Sequence, residues 1–385
     1  MSIGDDTDSL DEATNVFMAA RPHLFGIAYR VLASTTEAED VLQEAWLRWQ
    51  GADRDVVREP KAFLATVTAR LALNVAQSAR VRRESYIGPW LPEPVDTRAD
   101  PQLGAERAEA LDTAVLFLLE RLNPVERAAY VLREAFDYPY QQIADMLETS
   151  ETNTRQLVSR ARKHISSERR KPVEATEHRR LMEVFLTAAQ TGDLAVLEGI
   201  LADDVVSYTD GNGLRGASKF PVVGLVHVSR YLAAFAPRFW PQKEIHWVEA
   251  NGGPAALVSA GGTAVVLLTL DISERGIERA MWVMNPEKLA PYVASLDGGT
   301  TFSSRTPPCA SPERVLVGHP VVRYPGRPKG RSPWLAAQSV RHVAAPRESR
   351  GDRADPAARP DPNERPWGQD GPEASQIAGL SGRTG

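Results

Sequence analysis

The sequence predicts a multidomain protein in which two all-helical units precede one α+β domain and a disordered C-terminal tail. Three observations indicate this order. The chain has 385 residues, which is enough for two or three domains of about 100–200 residues each. Its apolar periodicity is helical in the first half and strand-like after residue 200. Beyond residue 295 the periodicity stops, in a segment rich in proline, glycine and arginine.

The composition favours folded domains and excludes several classes of site. Hydrophobic residues make up 43% of the chain and charged residues 25%, as is typical of globular proteins. No apolar run reaches the ~20 residues of a membrane-spanning helix, and the acidic N-terminus does not resemble a signal peptide. The single cysteine excludes an internal disulfide, and the seven histidines lack a metal-binding spacing. We therefore expect a cytoplasmic protein with no metal and no cofactor.

The first helical unit spans residues 11–82. Over residues 39–50, apolar side chains recur at positions i, i+3, i+4 and i+7, which predicts a helix whose buried stripe is Leu42, Ala45, Trp46 and Trp49. The outward face of this helix then carries Asp40, Gln43, Glu44 and Arg48. From spacing alone, this polar face is either a solvated surface or a binding surface.

Cations mark the end of this unit. The helix predicted over residues 61–80 carries Arg70 and Asn74, and it runs into Arg80, Arg82 and Arg83. An arginine cluster at a helix end either complements the helix dipole or meets phosphate groups. The next segment, residues 83–102, is predicted to be a linker, because four prolines exclude a continuous helix: Pro89, Pro92, Pro94 and Pro101.

The second helical unit, residues 103–171, contains a predicted helix-turn-helix. A helix over residues 140–147 is followed by a short turn and by a second helix that begins near Glu151, with Ser150 as its N-cap. Leu157, Val158, Ala161 and Ile165 are predicted to face inward. The outward positions suit base edges and phosphates in a DNA major groove: Thr152, Arg155, Gln156, Ser159, Arg160, Arg162 and Lys163. The alternative is a merely basic surface helix.

The third domain is predicted over residues 177–294. Helices are expected at residues 177–190, 193–201 and 225–235, and strands at 205–209, 244–249, 255–259, 264–271 and 279–284. Helices followed by strands with short connections indicate an α+β domain, in which a curved antiparallel sheet closes over helices and encloses a pocket. Residues 295–385 cannot bury enough apolar surface to fold and are expected to form a disordered tail.

These patterns resemble a known family. The Asp40-x-x-Gln43-Glu44-Ala45-Trp46 helix, the helix ending at Arg83 and the helix-turn-helix follow, in order, the two conserved regions of extracytoplasmic-function sigma factors. The linker resembles that of the SigJ-like subgroup, which carries a C-terminal SnoaL-like domain of the NTF2-like fold. The residues of this linker motif are Trp90, Leu91, Pro92, Glu93 and Pro94.

Two further motifs of the subgroup lie in the third domain. The segment from Asp210 through Gly211 and Gly213 resembles its Asp-Gly-Gly-Gly-Lys motif, but Leu214 stands where the lysine belongs and Arg215 follows one place later. Whether Arg215 reaches the partner of that lysine is left open, as is the reading of this segment as an ordinary glycine turn. The second motif, Asn-Pro-Asp-Lys-Leu, is closely matched by Asn285, Pro286, Glu287, Lys288 and Leu289.

The resemblance implies two sigma domains, named region 2 and region 4, followed by a cone-shaped SnoaL-like domain. Asp40, Gln43, Glu44 and Arg48 would meet the β′ clamp of core RNA polymerase, and region 4 would lie near the β flap. The cations from Arg70 to Arg83, with Asn74, would contact the −10 promoter element, and the helix from Glu151 would read the −35 element. The linker would thread between the two regions. The third domain would regulate both in cis through its two motifs, without a separate anti-sigma factor.

Two other classes of function are kept as alternatives. SnoaL-like folds include cyclases and isomerases, and His227, His246, Asp271 and Tyr208 are the candidate acid–base residues here. Their spacing forms no catalytic constellation, and four aromatic residues read as pocket lining or core: Phe235, Phe239, Trp247 and Trp282. We therefore expect no enzyme activity. Whether the cone binds a small ligand is left open. A ligand-responsive repressor that uses the helix-turn-helix is the other alternative, and it would not need the polar face of residues 40–48.

Overall fold

The computed structural model describes residues 3–98 and 112–296. The end of the predicted linker and the start of the second unit fall in residues 99–111, outside this range. The predicted tail from residue 297 onward lies outside it too. Of Arg80, Arg82 and Glu84 only the backbone is described.

The first helical unit, which the resemblance assigns to region 2, consists of three long helices around one core. They are α1 (Ile3–Leu32), α2 (Thr35–Gln50) and α3 (Pro60–Glu84), with a short 3-10 turn at Arg54–Val56. Ser34 caps α2 by accepting a hydrogen bond from the backbone N–H of Glu37 at 3.2 Å. Trp49 is buried, as the spacing predicts, and its indole N–H donates to the carbonyl of Ala13 at 3.0 Å. Helix α3 includes Arg83, so the linker starts later than predicted.

The second helical unit, which the resemblance assigns to region 4, consists of α4 (Thr113–Leu119), α5 (Pro124–Glu134), α6 (Tyr140–Met146) and α7 (Glu151–Glu168). Helices α6 and α7 form the predicted helix-turn-helix. Ser150 is confirmed as the N-cap of α7, since its hydroxyl accepts from the backbone N–H of Asn153 at 3.1 Å. The four inward positions of α7 are all buried: Leu157, Val158, Ala161 and Ile165.

Regions 2 and 4 pack against each other. Buried apolar residues of α1, α2 and α3 form one continuous core with those of α4 to α7. A polar contact crosses the same boundary, where His23 Nε2 lies 2.9 Å from the hydroxyl of Tyr138. The helices of the two regions are therefore held together by burial of apolar surface as well as by polar contacts.

The third domain is α+β, with helices against one six-stranded sheet. Its helices are α8 (Ala175–Thr191), α9 (Leu194–Ile200), α10 (Leu225–Phe239) and α11 (Pro286–Ser295). Its strands are β1 (Leu201–Asp210), β2 (Val222–Val223), β3 (Lys243–Ala250), β4 (Gly253–Ala260), β5 (Thr263–Ser273) and β6 (Gly276–Val283). Their order in the sheet is β2-β1-β6-β5-β4-β3.

The sheet is mixed, which corrects the prediction of an antiparallel sheet. Strands β3 to β6 form an antiparallel meander, but β1 pairs in parallel with β6. Helix α10 and the meander separate these two strands along the chain, so β6 returns beside β1 in the same direction. Such a long-range pairing leaves no local signal in the sequence. Leu201, predicted to end a helix, instead begins β1.

Several boundaries also differ from the prediction. Helix α8 starts at Ala175 rather than Glu177, after a β-bridge between Pro172 and Ser273. Helix α10 extends to Phe239. Helix α11 was not predicted, although Leu289, Tyr292 and Val293 recur at helical spacing and are buried. The amide side chain of Asn285 caps this helix, accepting from the backbone N–H of Glu287 at 3.0 Å.

Candidate functional site

The predicted polymerase face lies on the solvent side of α2. Asp40, Gln43 and Arg48 are exposed, and Glu44 is half-buried, where it pairs with Arg48 at 3.0 Å. Leu47 lies between them in sequence and is 60% exposed, which the sequence analysis missed. Leu47 is apolar but does not belong to the buried stripe of α2, and this pattern in the sequence could have indicated its exposure. The face is therefore polar with an exposed leucine, a combination that suits a protein partner.

The predicted −35 face lies along α7. Thr152, Arg155, Gln156, Ser159, Arg160, Arg162 and Lys163 are all exposed. Arg155 is held by Glu151 at 2.5 Å and lies over the ring of Tyr140, 4.4 Å from its centroid. Arg162 pairs with Glu134 at 2.6 Å, and this hydrogen bond raises the pKa of the guanidinium. The structure thus brings the seven predicted residues onto one accessible helix.

The predicted −10 residues are not all accessible. Arg70 donates to the carbonyls of Met146 at 2.9 Å and Asp145 at 2.8 Å, and pairs with Glu148 at 3.0 Å. These partners form the turn of the helix-turn-helix. Asn74 is exposed, while the side chains of Arg80 and Arg82 lie outside the description. In this arrangement Arg70 therefore binds region 4, a contact between distant segments that the sequence pattern does not reveal.

Arg83 is also engaged inside the protein. Its guanidinium donates to the carbonyl of Leu32 at 2.8 Å, forms an ion pair with Glu120 of region 4, and lies 3.5 Å from Glu37. The same group lies 3.7 Å from the centroid of the Trp90 ring. Arg83 thus joins α1, region 4 and the linker, and a contact between Arg83 and DNA would require these bonds to break.

The linker and the third domain meet at a buried ion pair. Asp210, at the end of β1, is fully buried, and its carboxylate lies 2.7 Å from the ammonium of Lys288, which is 4% exposed. The same carboxylate also binds the linker, because it accepts hydrogen bonds from the backbone N–H of Leu91 at 2.8 Å and from the hydroxyl of Tyr86. Lys288 in turn donates to the carbonyl of Leu91. We call these four residues, together with Trp90, the linker lock.

Burial sets the protonation behaviour of the linker lock. Burial lowers the pKa of Lys288, and the neighbouring charge of Asp210 opposes this shift. Burial and the same carboxylate raise the pKa of Tyr86, so its hydroxyl stays a donor. The amide of Asn285 donates to that hydroxyl at 3.0 Å. The ammonium of Lys288 lies 3.8 Å from the centroid of the Trp90 ring, where the π face favours a cation.

Glu93 connects the linker to region 2. Its carboxylate accepts from the hydroxyl of Ser34 at 2.8 Å and from both the N–H and the hydroxyl of Thr35 at 2.7 Å. These donors stand at the start of α2, where a carboxylate also complements the helix dipole. The hydroxyl of Tyr29 donates to the Glu93 carbonyl at 2.6 Å. The predicted linker motif therefore contacts both the third domain and helix α2, which carries the predicted polymerase face.

The linker then runs along the turn between β3 and β4. The Asn251 N–H donates to the Val95 carbonyl at 2.9 Å, and Asn251 Oδ1 accepts from the Val95 N–H at 3.3 Å. The side chain of Asn251 also donates to the hydroxyl of Tyr29 at 2.5 Å. Region 2, the linker and the third domain meet here. Asn251 was not singled out from the sequence, where Asn-Gly-Gly reads only as a turn.

The Asp210–Arg215 segment contributes an acid but not the expected cation. Gly211 is buried, and a Cβ at this position would overlap the Cβ of Ala217. Gly213 has φ of +82°, which requires glycine for an unstrained turn. Arg215 is exposed and forms no ion pair within the described ranges 3–98 and 112–296. Arg215 therefore reaches no acidic partner among the described residues, and the cation paired with Asp210 is Lys288, from the second motif.

The candidate acid–base residues of an enzyme do not converge. Tyr208 packs on Phe117 of region 4, with ring centroids 4.7 Å apart, and Asp271 forms a partly buried ion pair with Arg279. Burial raises the pKa of Asp271 and Arg279 opposes the shift. His246 lies 2.9 Å from the hydroxyl of Ser259, and His227 is exposed. These residues stand at separate places, two of them at the interface with region 4 or next to it.

The interior of the third domain holds a small apolar cavity. Its volume is about 40 Å³, and aromatic side chains predicted as pocket lining surround it, including Phe235, Phe239 and Trp282. Trp247 packs against the same core, with Arg179 over its ring. A pocket of this volume has room for a few water-sized molecules. Among the described residues no acidic, histidine or cysteine cluster could hold a metal ion, and none of their helices could cross a membrane.

Two family models match the helical part of the chain. The model of Sigma-70 region 2 matches residues 16–84, and the model of Sigma-70, region 4 matches residues 112–165. The chain is 39% identical over 233 residues to the ECF RNA polymerase sigma factor SigJ of Mycobacterium tuberculosis strain H37Rv. This match covers 58% of the chain and 73% of that protein.

The similarity extends through the third domain. The probable ECF RNA polymerase sigma factor SigI of the same strain is 31% identical over 295 residues, covering 75% of this chain and 99% of that protein. The crystal structure of Mycobacterium tuberculosis SigJ aligns with a TM-score of 0.59 at 32% identity, over 72% of this chain and 98% of that chain. The predicted fold class and the family resemblance are thereby confirmed. The chain belongs to the extracytoplasmic-function RNA polymerase sigma factors, the alternative sigma factors that act with core RNA polymerase on promoter DNA in transcription initiation.

Proposed function

We propose that the third domain of this sigma factor regulates promoter-directed transcription in cis by holding the linker between regions 2 and 4. The observation that carries the proposal is the linker lock. Asp210 and Lys288 bind the N–H and C=O of Leu91, while Glu93, two residues on, binds the start of α2. Docking of the third domain is therefore coupled to the position of the polymerase-binding helix.

The compact arrangement is the state with low promoter activity in this proposal. The −10 and −35 elements lie about 25 base pairs apart, or ~85 Å at 3.4 Å per base pair. Regions 2 and 4 share one core here, and Arg70 is bound to the helix-turn-helix. Reading both elements requires the regions to separate. The linker lock stabilises the compact state and so lowers the fraction of protein able to bind a promoter.

The polymerase contact is assigned to α2. Asp40, Gln43, Glu44 and Arg48 offer charged and polar groups around Leu47, and the family resemblance supports contact of this face with the β′ clamp. Pull-down of core polymerase with the full chain tests the assignment. Alanine at Asp40, Gln43 and Glu44 together is expected to abolish capture, while alanine at exposed Gln141 in region 4 leaves it unchanged. Equal capture by the triple variant and the wild type would disprove the assignment.

The DNA contacts are divided between two helices. Region 2 would contact the −10 element through Arg70, Asn74, Arg80, Arg82 and Arg83 once the compact arrangement opens. Helix α7 would read the −35 element through its exposed residues, with Arg155 and Gln156 on base edges. Replacing Arg155 by alanine is expected to cost about 1–3 kcal/mol of binding and to relax the preference for one base pair.

Several finer expectations accompany the proposal. A sigma factor works where polymerase and the chromosome are, so we expect this one in the cytoplasm. Regulation within the chain would replace a separate anti-sigma factor. The candidate acid–base residues lie apart from one another, so we expect no catalysis. A modest widening of the small aromatic pocket would admit a small apolar ligand. A repressor that acts without polymerase is disfavoured by the match to region 2.

Run-off transcription with core polymerase tests the regulatory claim. Full-length protein is compared with chains ending near Lys171 and near Ser295, and with Lys288→Met, on the upstream region of its own gene. We expect Lys288→Met to raise the yield of promoter-specific transcript several-fold at limiting core enzyme, because the compact state loses its lock. Lys219→Met, which removes an exposed lysine, is the matched control.

A second variant guards against loss of folding. Glu93→Gln weakens the contact with α2 from the other end of the linker and leaves the third domain intact. The same rise in transcript is expected. If both variants transcribe at the level of the wild type and of Lys219→Met, the linker lock has no regulatory role. A deletion ahead of Asn285 is less informative, because it also removes the buried residues of α11.

A further inference from the structure

A basic groove lies where region 4 joins the third domain. It is an open cleft of about 520 Å³, lined by the last turns of α7 and by the segment that follows it. Five cations and one tyrosine line it: Tyr130, Arg162, Lys163, Arg169, Arg170 and Lys171. Lys163 also belongs to the predicted −35 face, so the groove continues that face toward the third domain.

The groove has an excess of positive charge. Three of its cations have carboxylate neighbours: Arg162 has Glu134 at 2.6 Å, Arg169 has Asp112 at 3.7 Å, and Arg170 has Glu278 at 4.0 Å. Lys163 and Lys171 are exposed and form no ion pair within residues 3–98 and 112–296. No carboxylate is among the groove's lining residues. Two positive charges are therefore left to attract a multivalent anion.

The position of the groove favours the backbone of a DNA duplex. An α-helix rises 1.5 Å per residue, so Ser166, in the groove, lies about 15 Å along α7 from the base-reading position Gln156. The major groove is about 12 Å wide, and phosphates border it on both sides. When the first turns of α7 enter that groove, its last turns reach the bordering backbone.

We propose that the groove formed by Arg162, Lys163 and the junction residues Arg169–Lys171 binds the phosphate backbone that flanks the −35 element. The inference rests on the proposed role of α7 as the −35 reader. It adds the junction with the third domain to the DNA-binding surface. Phosphates would compete with Glu278 for Arg170, and with Asp112 for Arg169, so DNA binding would loosen the contacts that these cations make within the protein.

Salt dependence of promoter binding tests the proposal. The reconstituted holoenzyme and a promoter duplex selected with the wild-type holoenzyme are used. The double variant Arg170→Gln, Lys171→Gln is compared with Arg230→Gln, Arg238→Gln, which removes two exposed cations of α10 outside the groove. Two lost phosphate contacts are expected to make the slope of log affinity against log salt shallower by about 1.8. The α10 variant is expected to keep the wild-type slope.

Neutral methylphosphonate linkages locate the contact. Placed on the flank that the groove touches, they are expected to weaken the wild type to the affinity of the groove variant and to leave that variant unchanged. Equal weakening of both proteins on either flank overturns the proposal. So does a wild-type slope for the groove variant. If the groove variant loses binding of inorganic pyrophosphate but keeps its promoter affinity, the groove is a small-anion site. That outcome also overturns the proposal.

A separate set of variants tests the assignment on which this proposal rests, namely that α7 reads the −35 element. Gln156→Ala is expected to lower discrimination between −35 sequences without changing the salt slope. If Gln156→Ala and Arg155→Ala leave discrimination intact, α7 is not the −35 reader and the proposed function fails. If they reduce it while the groove variant behaves as wild type, only the groove proposal fails.

Discussion

At the scale of single residues, the buried pair of Asp210 and Lys288 dominates the site. Two charges removed from water lose hydration, and their mutual attraction offsets this only when every remaining polar group is satisfied. Asp210 meets this condition with three donors, and Lys288 has the Leu91 carbonyl and the Trp90 ring in addition to the acid. Leu91 and Tyr86 belong to the linker, so the pair is fully satisfied only when the linker is docked.

Removing one member of the pair should therefore be costly. Lys288→Met leaves Asp210 charged and buried, and we expect a loss of about 3 kcal/mol in the free energy of unfolding. Asp210→Asn should cost a similar amount. The double variant should cost clearly less than the sum, since neither charge is left unpaired. Urea denaturation of the four proteins measures this coupling, and additive effects would show that the two groups do not interact.

Tyr86 makes the linker lock sensitive to alkaline pH. Its pKa is raised above its ordinary value of 10 by burial and by Asp210. A raised pKa in the folded state means that the stability it contributes is complete below pH 10 and is lost as pH rises further. We expect wild-type stability to fall more steeply than that of Tyr86→Phe above pH 10. Thermal melts of both proteins measure the difference, and parallel curves would contradict it.

At the scale of elements, the linker is explained by its pattern of backbone donors. Leu91, Glu93 and Val95 donate their N–H groups to Asp210, to the Ala33 carbonyl at 2.9 Å and to Asn251, respectively. The intervening positions, 92 and 94, are prolines, which have no N–H to satisfy. Proline also restricts the unfolded linker, which lowers the entropy lost on docking. The alternation of proline and donor residues is thus suited to this docked, extended segment.

Glu93→Gln tests the contribution of this element to helix α2. The variant keeps the shape of the side chain but loses the charge that faces the N–H groups of Thr35 and Thr36. We expect a loss of about 2 kcal/mol, because charge-assisted hydrogen bonds are roughly twice as strong as neutral ones. Hydrogen exchange at the amides of Thr35 and Thr36 reports it directly. Glu287→Gln, at an exposed position of α11, should leave that exchange unchanged.

At the scale of the whole molecule, the compact arrangement keeps two DNA-binding regions, region 2 and region 4, in contact with each other. Apolar residues of both regions form one core, and Arg70 and Arg83 add polar contacts across the boundary. Tyr208 and Arg279 of the third domain contact region 4 as well, the latter by donating to the Glu168 carbonyl at 3.0 Å. The proposed separation of the regions would expose this surface, so binding of polymerase and promoter would have to supply the free energy.

Distance measurements by fluorescence transfer test this opening. Labels on Glu59→Cys and Gln141→Cys, in a chain with Cys309→Ser, report on regions 2 and 4. We expect transfer in the free protein to fall when core polymerase and promoter DNA are added, because the two elements lie ~85 Å apart. A pair within region 2, Glu12→Cys and Glu59→Cys, should not change. Constant transfer in the first pair would contradict an opening.

The sequence by itself determined most of the helices, though not α11, and also the helix-turn-helix with its Ser150 cap and the order of the domains, because these depend on local periodicity and capping. It also identified Asp210, Lys288 and the Trp90–Pro94 motif. Only the tertiary structure decided that Lys288 pairs with Asp210, and that Arg70 binds region 4. It also decided that β1 runs parallel to β6. Each of these joins segments more than 70 residues apart, and such contacts depend on how whole domains pack, which no local pattern records.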